Sequence, residues 1–338
     1  MNESKPVLLS GIKPTGELHL GNYFGAVRQF VEMSKDDTHD VMIMVADYHA
    51  LNFVQNGEEM RALIHELMLS YMASGLDPEK VVLFKQSAVS AHTELAWIFD
   101  TITTVPYLMR AHAYKAAFDK ATEEIGPIGG AIGKALRAKM APEISVGTFN
   151  YPMLMAADIL LYDTAVVPVG QDQKQHIEYA RDTAEKFNRV FGETFRLPAE
   201  KIVEDVAIVP GLDGQKMSKS YGNTIKLFAT PEETTERVMS IVTDSEGERP
   251  ENVYALHRLI KSEEELAPLY EEHKGRYKPL KDALAEDLNA YLAPMRARYN
   301  ELKASPEVVE KALERGNALA RERAEKKMEE VRKVVGVT

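Results

Sequence analysis

Short runs of β-branched and other apolar residues alternate with helical patterns over the first two thirds of this 338-residue chain, and after about Asn223 the strand signals stop. That change of rhythm constrains the fold most. Strands separated by helix-length segments pair in parallel, with the helices laid on the faces of the sheet. The candidate strands are residues 7–10, 41–46, 81–84, 166–169 and 207–209, and between them 58–74 and 173–187 carry helical spacing of apolar positions. Pro14, Gly16 and Gly21 punctuate the first strand-to-helix turn. In a doubly wound sheet such a turn lies at the carboxyl ends of the strands, where ligands bind. Beyond it, Pro231-Glu232-Glu233 reads as a helix start, and long helical patterns fill 277–302 and 306–335. The expectation is an α/β fold, a doubly wound parallel sheet over residues 1–224 followed by a C-terminal α-helical domain over 225–338.

Composition removes several classes of function. An apolar share of 45% and a charged share of 28% are ordinary for a globular protein. The absence of cysteine excludes disulfides, thiolate metal sites and cysteine nucleophiles, so no metal site of the chain's own is expected and any ion should arrive with a nucleotide. No apolar run is long enough for a membrane span, and Met1-Asn2-Glu3-Ser4-Lys5 lacks the build of a signal peptide; a cytoplasmic protein with no membrane partner is expected. The net charge of −11 argues against indiscriminate nucleic-acid binding, although the tail from Pro294 is mildly basic, with eleven Lys and Arg against eight Asp and Glu. Its Lys- and Glu-rich stretch 321–333 reads most simply as a solvated helix face. The Gly-rich segment 126–134 fails the phosphate-loop spacing and ends on Lys134-Ala135, so it reads as a mobile surface loop.

Two short motifs carry the chemistry. His19-Leu20-Gly21-Asn22 follows the first strand and a Pro14-Thr15-Gly16 turn; its glycines admit close backbone approach, and a helix starting there points free N–H groups at phosphates. Lys216-Met217-Ser218-Lys219-Ser220 follows Gly211-Leu212-Asp213-Gly214 and should lie on a flexible loop, where two ammonium groups can track the β- and γ-phosphates as pyrophosphate leaves. A third region, Tyr151 to Tyr162, contains one acidic residue, Asp158, in a run so apolar that its carboxylate should be buried with little else nearby to pair with it. It either caps structure or accepts a hydrogen bond from a ligand. Gly170-Gln171-Asp172-Gln173 follows the 166–169 strand, and His49 follows the 41–46 strand, both at the ligand edge.

With these motifs the chain resembles the class I aminoacyl-tRNA synthetases, and over essentially its whole length it resembles the tryptophanyl-tRNA synthetases in particular. The resemblance implies a Rossmann-like catalytic domain, and a helical domain that binds the tRNA anticodon. It implies ATP contacts at Lys13, Pro14, Thr15, Gly21, Asn22, Gly170, Gln171, Asp172, Ile208, Lys216, Met217, Ser218, Lys219 and Ser220. His19, Asn22, Lys216 and Lys219 would be the catalytic phosphate-holding set. Tryptophan would lie among Asp158, Met155, Tyr151, His49, Val167, Val169 and Gln173, with Asp158 taking the indole N–H. Lys13 departs from the glutamine of many family members, and Lys115 is the candidate for the family's phosphate-binding lysine in the long 110–150 stretch.

The implied reaction joins L-tryptophan and ATP, with Mg²⁺, into tryptophanyl-adenylate and then transfers the aminoacyl group to tRNA(Trp), in a protein that works as a homodimer. The tyrosyl-tRNA synthetases share the fold but serve a phenol, usually with a Tyr and a Gln where this chain has Leu9 and Met155. An indole N–H is only a donor, which suits one buried acceptor among apolar walls. A non-catalytic, synthetase-like nucleotide-binding protein is the reading from another class, and the intact phosphate motifs weigh against it.

Overall fold

The computed structural model describes residues 5–35, 38–122, 144–169, 174–202, 209–243 and 248–338. Five parallel strands form one sheet in the order β3-β2-β1-β4-β5: β1 Val7–Ile12, β2 Asp40–Val45, β3 Val82–Lys85, β4 Val166–Val169 and β5 Ala199–Ile202. The expected doubly wound sheet is therefore present, and four of the five expected strands lie in it. Of the expected 207–209 strand, Ala207 and Ile208 lie outside the described residues and Val209 is in no described strand; the fifth described strand, Ala199–Ile202, was not among the expected ones. Its Ala-Glu-Lys-Ile sequence gives no apolar run, and pairing with β4 is what makes it a strand.

Alternation along the central strands sorts side chains onto two faces. Val41, Ile43 and Val45 of β2 enter one apolar cluster with Leu8 and Leu83, while Met42 and Met44 enter another with Leu9 and Phe84. The first cluster continues into Leu280, Leu284 and Leu288 of the long helix Tyr277–Ala304, so residues from both sides of position 225 share one core. The second holds Ala156, Ala157 and Leu160 of the helix Val146–Leu160.

Local signals fix several helix ends. Asn56 accepts from the N–H groups of Glu58 and Glu59 to cap Gly57–Ala73, and Thr230 and Glu233 cap each other around Pro231 to start Pro231–Met239. The last helix, Pro306–Val335, ends at Gly336 in the left-handed conformation. It places Val309 and Ala312 in the first apolar cluster and Ala320, Ala324, Met328 and Val331 in the second, crossing from one face of the sheet to the other past edge strand β3. Its 321–333 stretch is thus only half solvated. Arg323 pairs with Asp40 at 2.6 Å and the buried Lys327 with Asp163 at 2.9 Å. No described helix is long and apolar enough to cross a membrane.

Candidate active site

Two segments about two hundred residues apart, next to the two motifs, are joined by backbone hydrogen bonds. The Leu20 N–H donates to the Ile225 carbonyl at 2.9 Å and the Leu227 N–H to the Leu18 carbonyl at 2.9 Å, with His19 and Lys226 forming an antiparallel bridge between them. The residues that follow the lysine loop are therefore zipped to the segment that starts the first helical turn, Leu20–Asn22. Met217 is the loop's anchor: it is buried, and its Sδ accepts from the Gly21 N–H at 3.3 Å. A Cβ at Gly21 would lie 2.9 Å from His19 Nδ1 and 3.2 Å from Met217 Cβ, so the approach requires glycine.

With Met217 held down, Lys216, Lys219 and Ser220 stay exposed, and the Lys219 side chain lies over Gly16. Asn223 pins the loop from within. Its Oδ1 accepts from the Ser218 N–H at 2.8 Å, and its Nδ2 donates to Asp213 at 2.7 Å and to the Lys216 carbonyl at 3.3 Å. Arg237, on the helix Pro231–Met239, donates to the carbonyls of Gly222 and Thr224 at the loop's exit.

At the carboxyl end of β1, Pro14 is buried, and the Thr15 N–H closes a turn on the Lys13 carbonyl at 2.9 Å. The Lys13 ammonium stands 5.0 Å over the Phe53 ring, and desolvation by the surrounding protein lowers its pKa. Asn22 is engaged locally, its Oδ1 accepting from the His19 N–H at 3.3 Å. Lys115 is exposed on the helix His112–Thr122. Gly170, Gln171, Asp172, Gln173 and Ile208, and the 126–134 loop, lie outside the described residues.

His19 is buried, and desolvation first, then the Lys219 charge, lower its pKa from 6.5 to about 4. A histidine depressed in the folded state leaves the unfolded chain binding more protons between those two values, so acid should cost stability across that window. His19→Gln should flatten the stability curve between about pH 4 and pH 6.5, as read by denaturant unfolding at a series of pH values. An unchanged slope there would show that His19 takes up its proton as easily folded as unfolded.

Asp158, 3% exposed, is a hub. Gln86 Nε2 donates to both its oxygens, at 2.8 and 3.0 Å; His49 Nε2 lies 2.9 Å from Oδ2 and His92 Nδ1 2.6 Å from Oδ1. Burial alone would raise this carboxyl, but the charges and hydrogen bonds of His92 and His49 outweigh it and hold it well below the usual carboxylate range. This corrects the expectation that little polar would be near to pair with Asp158. The partners come from outside its own helix: His49 from the turn Asp47–Ala50, Gln86 from the turn after β3, and His92 from the helix Ala91–Ile102.

Around the hub the His49 ring packs edge-on against Tyr151 at 5.3 Å, and the Tyr151 hydroxyl reaches Met155 Sδ at 3.7 Å. Val167 is buried in the same apolar cluster that Met155 packs against. Gln86, His92 and Asn223 escaped the sequence reading. Position at the end of a strand was a usable signal for Gln86 alone.

The family model of class I tRNA synthetases (W and Y) matches residues 1–314. The tryptophan–tRNA ligase of Fusobacterium nucleatum is 43% identical over 338 residues, covering 97% of each chain. Among solved structures, tryptophanyl-tRNA synthetase from Campylobacter jejuni complexed with ADP and tryptophan superposes with a TM-score of 0.82 at 37% identity, covering 97% of this chain and 99% of that one. Tyrosyl-tRNA synthetase from Archaeoglobus fulgidus, at 22% identity and a TM-score of 0.64 over 88% of this chain and 91% of that one, shares the fold. The chain belongs to the class I tRNA synthetases of the tryptophan and tyrosine group, among the tryptophanyl-tRNA synthetases.

Proposed function

We propose that this chain activates L-tryptophan with ATP and transfers it to the 3′ end of tRNA(Trp). The observation that supports the reading is the junction of the lysine loop with the His19 to Asn22 segment, through Met217 on Gly21 and the pairing of the residues that follow the loop, with the Lys219 side chain over Gly16. The tryptophan carboxylate attacks the α-phosphorus of ATP and pyrophosphate leaves; a ribose hydroxyl of the tRNA then takes the aminoacyl group from the adenylate. No enzyme nucleophile is required, and the protein supplies position and charge.

Lys216 and Lys219 stabilise the departing phosphates, with His19 and Asn22 shaping the turn that receives them. Lys13 to Thr15, Gly21, Met217, Ser218, Ser220, Ile208 and Gly170 to Asp172 complete the ATP site. Asp158 selects the indole from a pocket built by His49, Tyr151, Met155, Val167, Val169 and Gln173. Magnesium, carried by the triphosphate, shares its charge; among the described residues no group of three or more His, Asp or Glu could hold the ion separately.

A tRNA-contacting role for the helices beyond residue 225 is part of the same reading. Arg321 and Arg323 are poor candidates for RNA contact, because Arg321 donates to the Ala88 carbonyl and Arg323 pairs with Asp40. A symmetric dimer is supported by the exposed apolar side chains Trp97, Val105 and Met109.

The test is exchange of labelled pyrophosphate into ATP, expected with tryptophan and negligible with tyrosine or phenylalanine. Preference for tyrosine would move the chain to the tyrosyl enzymes, and no exchange with any amino acid would make it a non-catalytic relative.

A further inference from the structure

The C-terminal helix Pro306–Val335 crosses the exposed edge of the sheet at one point, Gly316. A Cβ there would overlap the Leu83 carbonyl, so helix backbone lies directly on strand backbone. The residues that follow grip the chain beyond that contact. Asn317, buried, accepts through Oδ1 from the Lys85 N–H at 3.0 Å, and one turn on, Arg321 Nε donates to the Ala88 carbonyl at 2.9 Å. Between these two anchors stands Gln86, fully buried, the residue whose Nε2 spans both oxygens of Asp158. Its Oε1 accepts from the Tyr48 N–H at 3.1 Å, so its amide is oriented from both ends.

We infer that Asn317 and Arg321 are positioning residues for amino-acid selection: the C-terminal helix fixes both flanks of Gln86, and Gln86 fixes Asp158. This rests on the proposed role of Asp158 in holding the indole. Covering an edge strand needs only a helix laid along it. Here two side chains satisfy backbone groups on either side of Gln86, the residue whose amide reaches both oxygens of the buried carboxylate. A binding constellation has to be held within about 0.5 Å of its productive geometry, and anchors on both flanks of Gln86 serve that end. Asn317 and Arg321 lie beyond residues 1–314, the part that matches the family model.

The experiment is steady-state pyrophosphate exchange on the full chain with Asn317→Ala, Arg321→Ala, Asn317→Asp and Asp158→Asn. Losing one orienting hydrogen bond should raise the tryptophan KM about threefold to tenfold in each alanine variant, with the ATP KM and kcat close to wild type. Asn317→Asp keeps an acceptor oxygen and should restore the wild-type tryptophan KM. Arg321 is exposed, so Arg321→Ala keeps the test alive if Asn317→Ala does not fold. A lower melting temperature with unchanged tryptophan KM, equal shifts in both substrates, or an Asn317→Asp variant as impaired as the alanine would each overturn the inference. A raised tryptophan KM in Asp158→Asn alone would overturn the clamp and spare the pocket. An unchanged KM in Asp158→Asn would sink the pocket reading and the clamp with it.

Discussion

Lys219→Ala should slow adenylate formation by 10²–10³ while leaving the equilibrium binding of tryptophan almost unchanged, and Lys216→Ala should act in the same direction. Removing one preorganised charge from a developing anion costs ~2.7–4 kcal/mol of transition-state stabilisation. The loss should be kinetic rather than structural, because the loop is held by other residues: Met217 on Gly21, Asn223 on Ser218 and Asp213, and Arg237 on Gly222 and Thr224. Neither lysine ammonium contributes to those contacts. Lys219→Ala should also let the His19 pKa rise, since the lysine's charge is the second cause that holds it down. Single-turnover adenylate formation is the measurement, with tryptophan affinity taken separately by equilibrium dialysis. A full activation rate in either variant would remove that lysine from its assigned role, and an equal loss of tryptophan affinity would show that the loop supports the pocket instead.

The second large effect belongs to Asp158. Asp158→Asn keeps the volume but removes the charge and turns an amide toward donors on Gln86, His49 and His92, whereas Asp158→Ala leaves those buried groups without their acceptor. Breaking a buried charged network by deleting one member typically costs about 3–5 kcal/mol. Both variants should therefore lose thermal stability, Asp158→Ala more. In whichever remains folded, the tryptophan KM should rise strongly and the ATP KM should change little. The margin over phenylalanine should collapse, because a site built around a hydrogen-bonded donor can reject the analogue lacking it by roughly 10⁴–10⁵. A folded variant that still preferred tryptophan by the wild-type margin would make Asp158 a purely structural hub. The crowded carboxylate gives that outcome a physical basis, since the indole N–H must share or displace a partner that Asp158 already has.

Features that depend on a few consecutive residues were legible in advance. The β4 strand at 166–169 reads from its own Val-Val-Pro-Val run, the helix at Pro231 from Pro231, Glu232 and Glu233, and the last two helices from apolar spacing. These are short-range effects, in which a cap, a fixed φ or an apolar period acts within one or two turns. The lysine loop and the His19 to Asn22 turn were legible as motifs for the same reason.

What no window of sequence contained were the long-range pairings. Ala199–Ile202 is a strand because β4 offers it an open edge, although its own residues argue weakly for one. Asp158 looked isolated because its neighbours in the chain are apolar, while its partners lie 109 residues away at His49 and 72 away at Gln86. The 321–333 stretch looked solvated because its charges dominate the count, yet its apolar positions fall on one helical face and close the second core. The sequence by itself determined four of the five described strands, the long helices and the two motifs, since these follow from local propensity and spacing. Tertiary structure alone decided how Asp158 is held, what pins the lysine loop, and that the last helix reaches the turn carrying Gln86, because each depends on hydrogen bonds between groups that only folding brings within reach of one another.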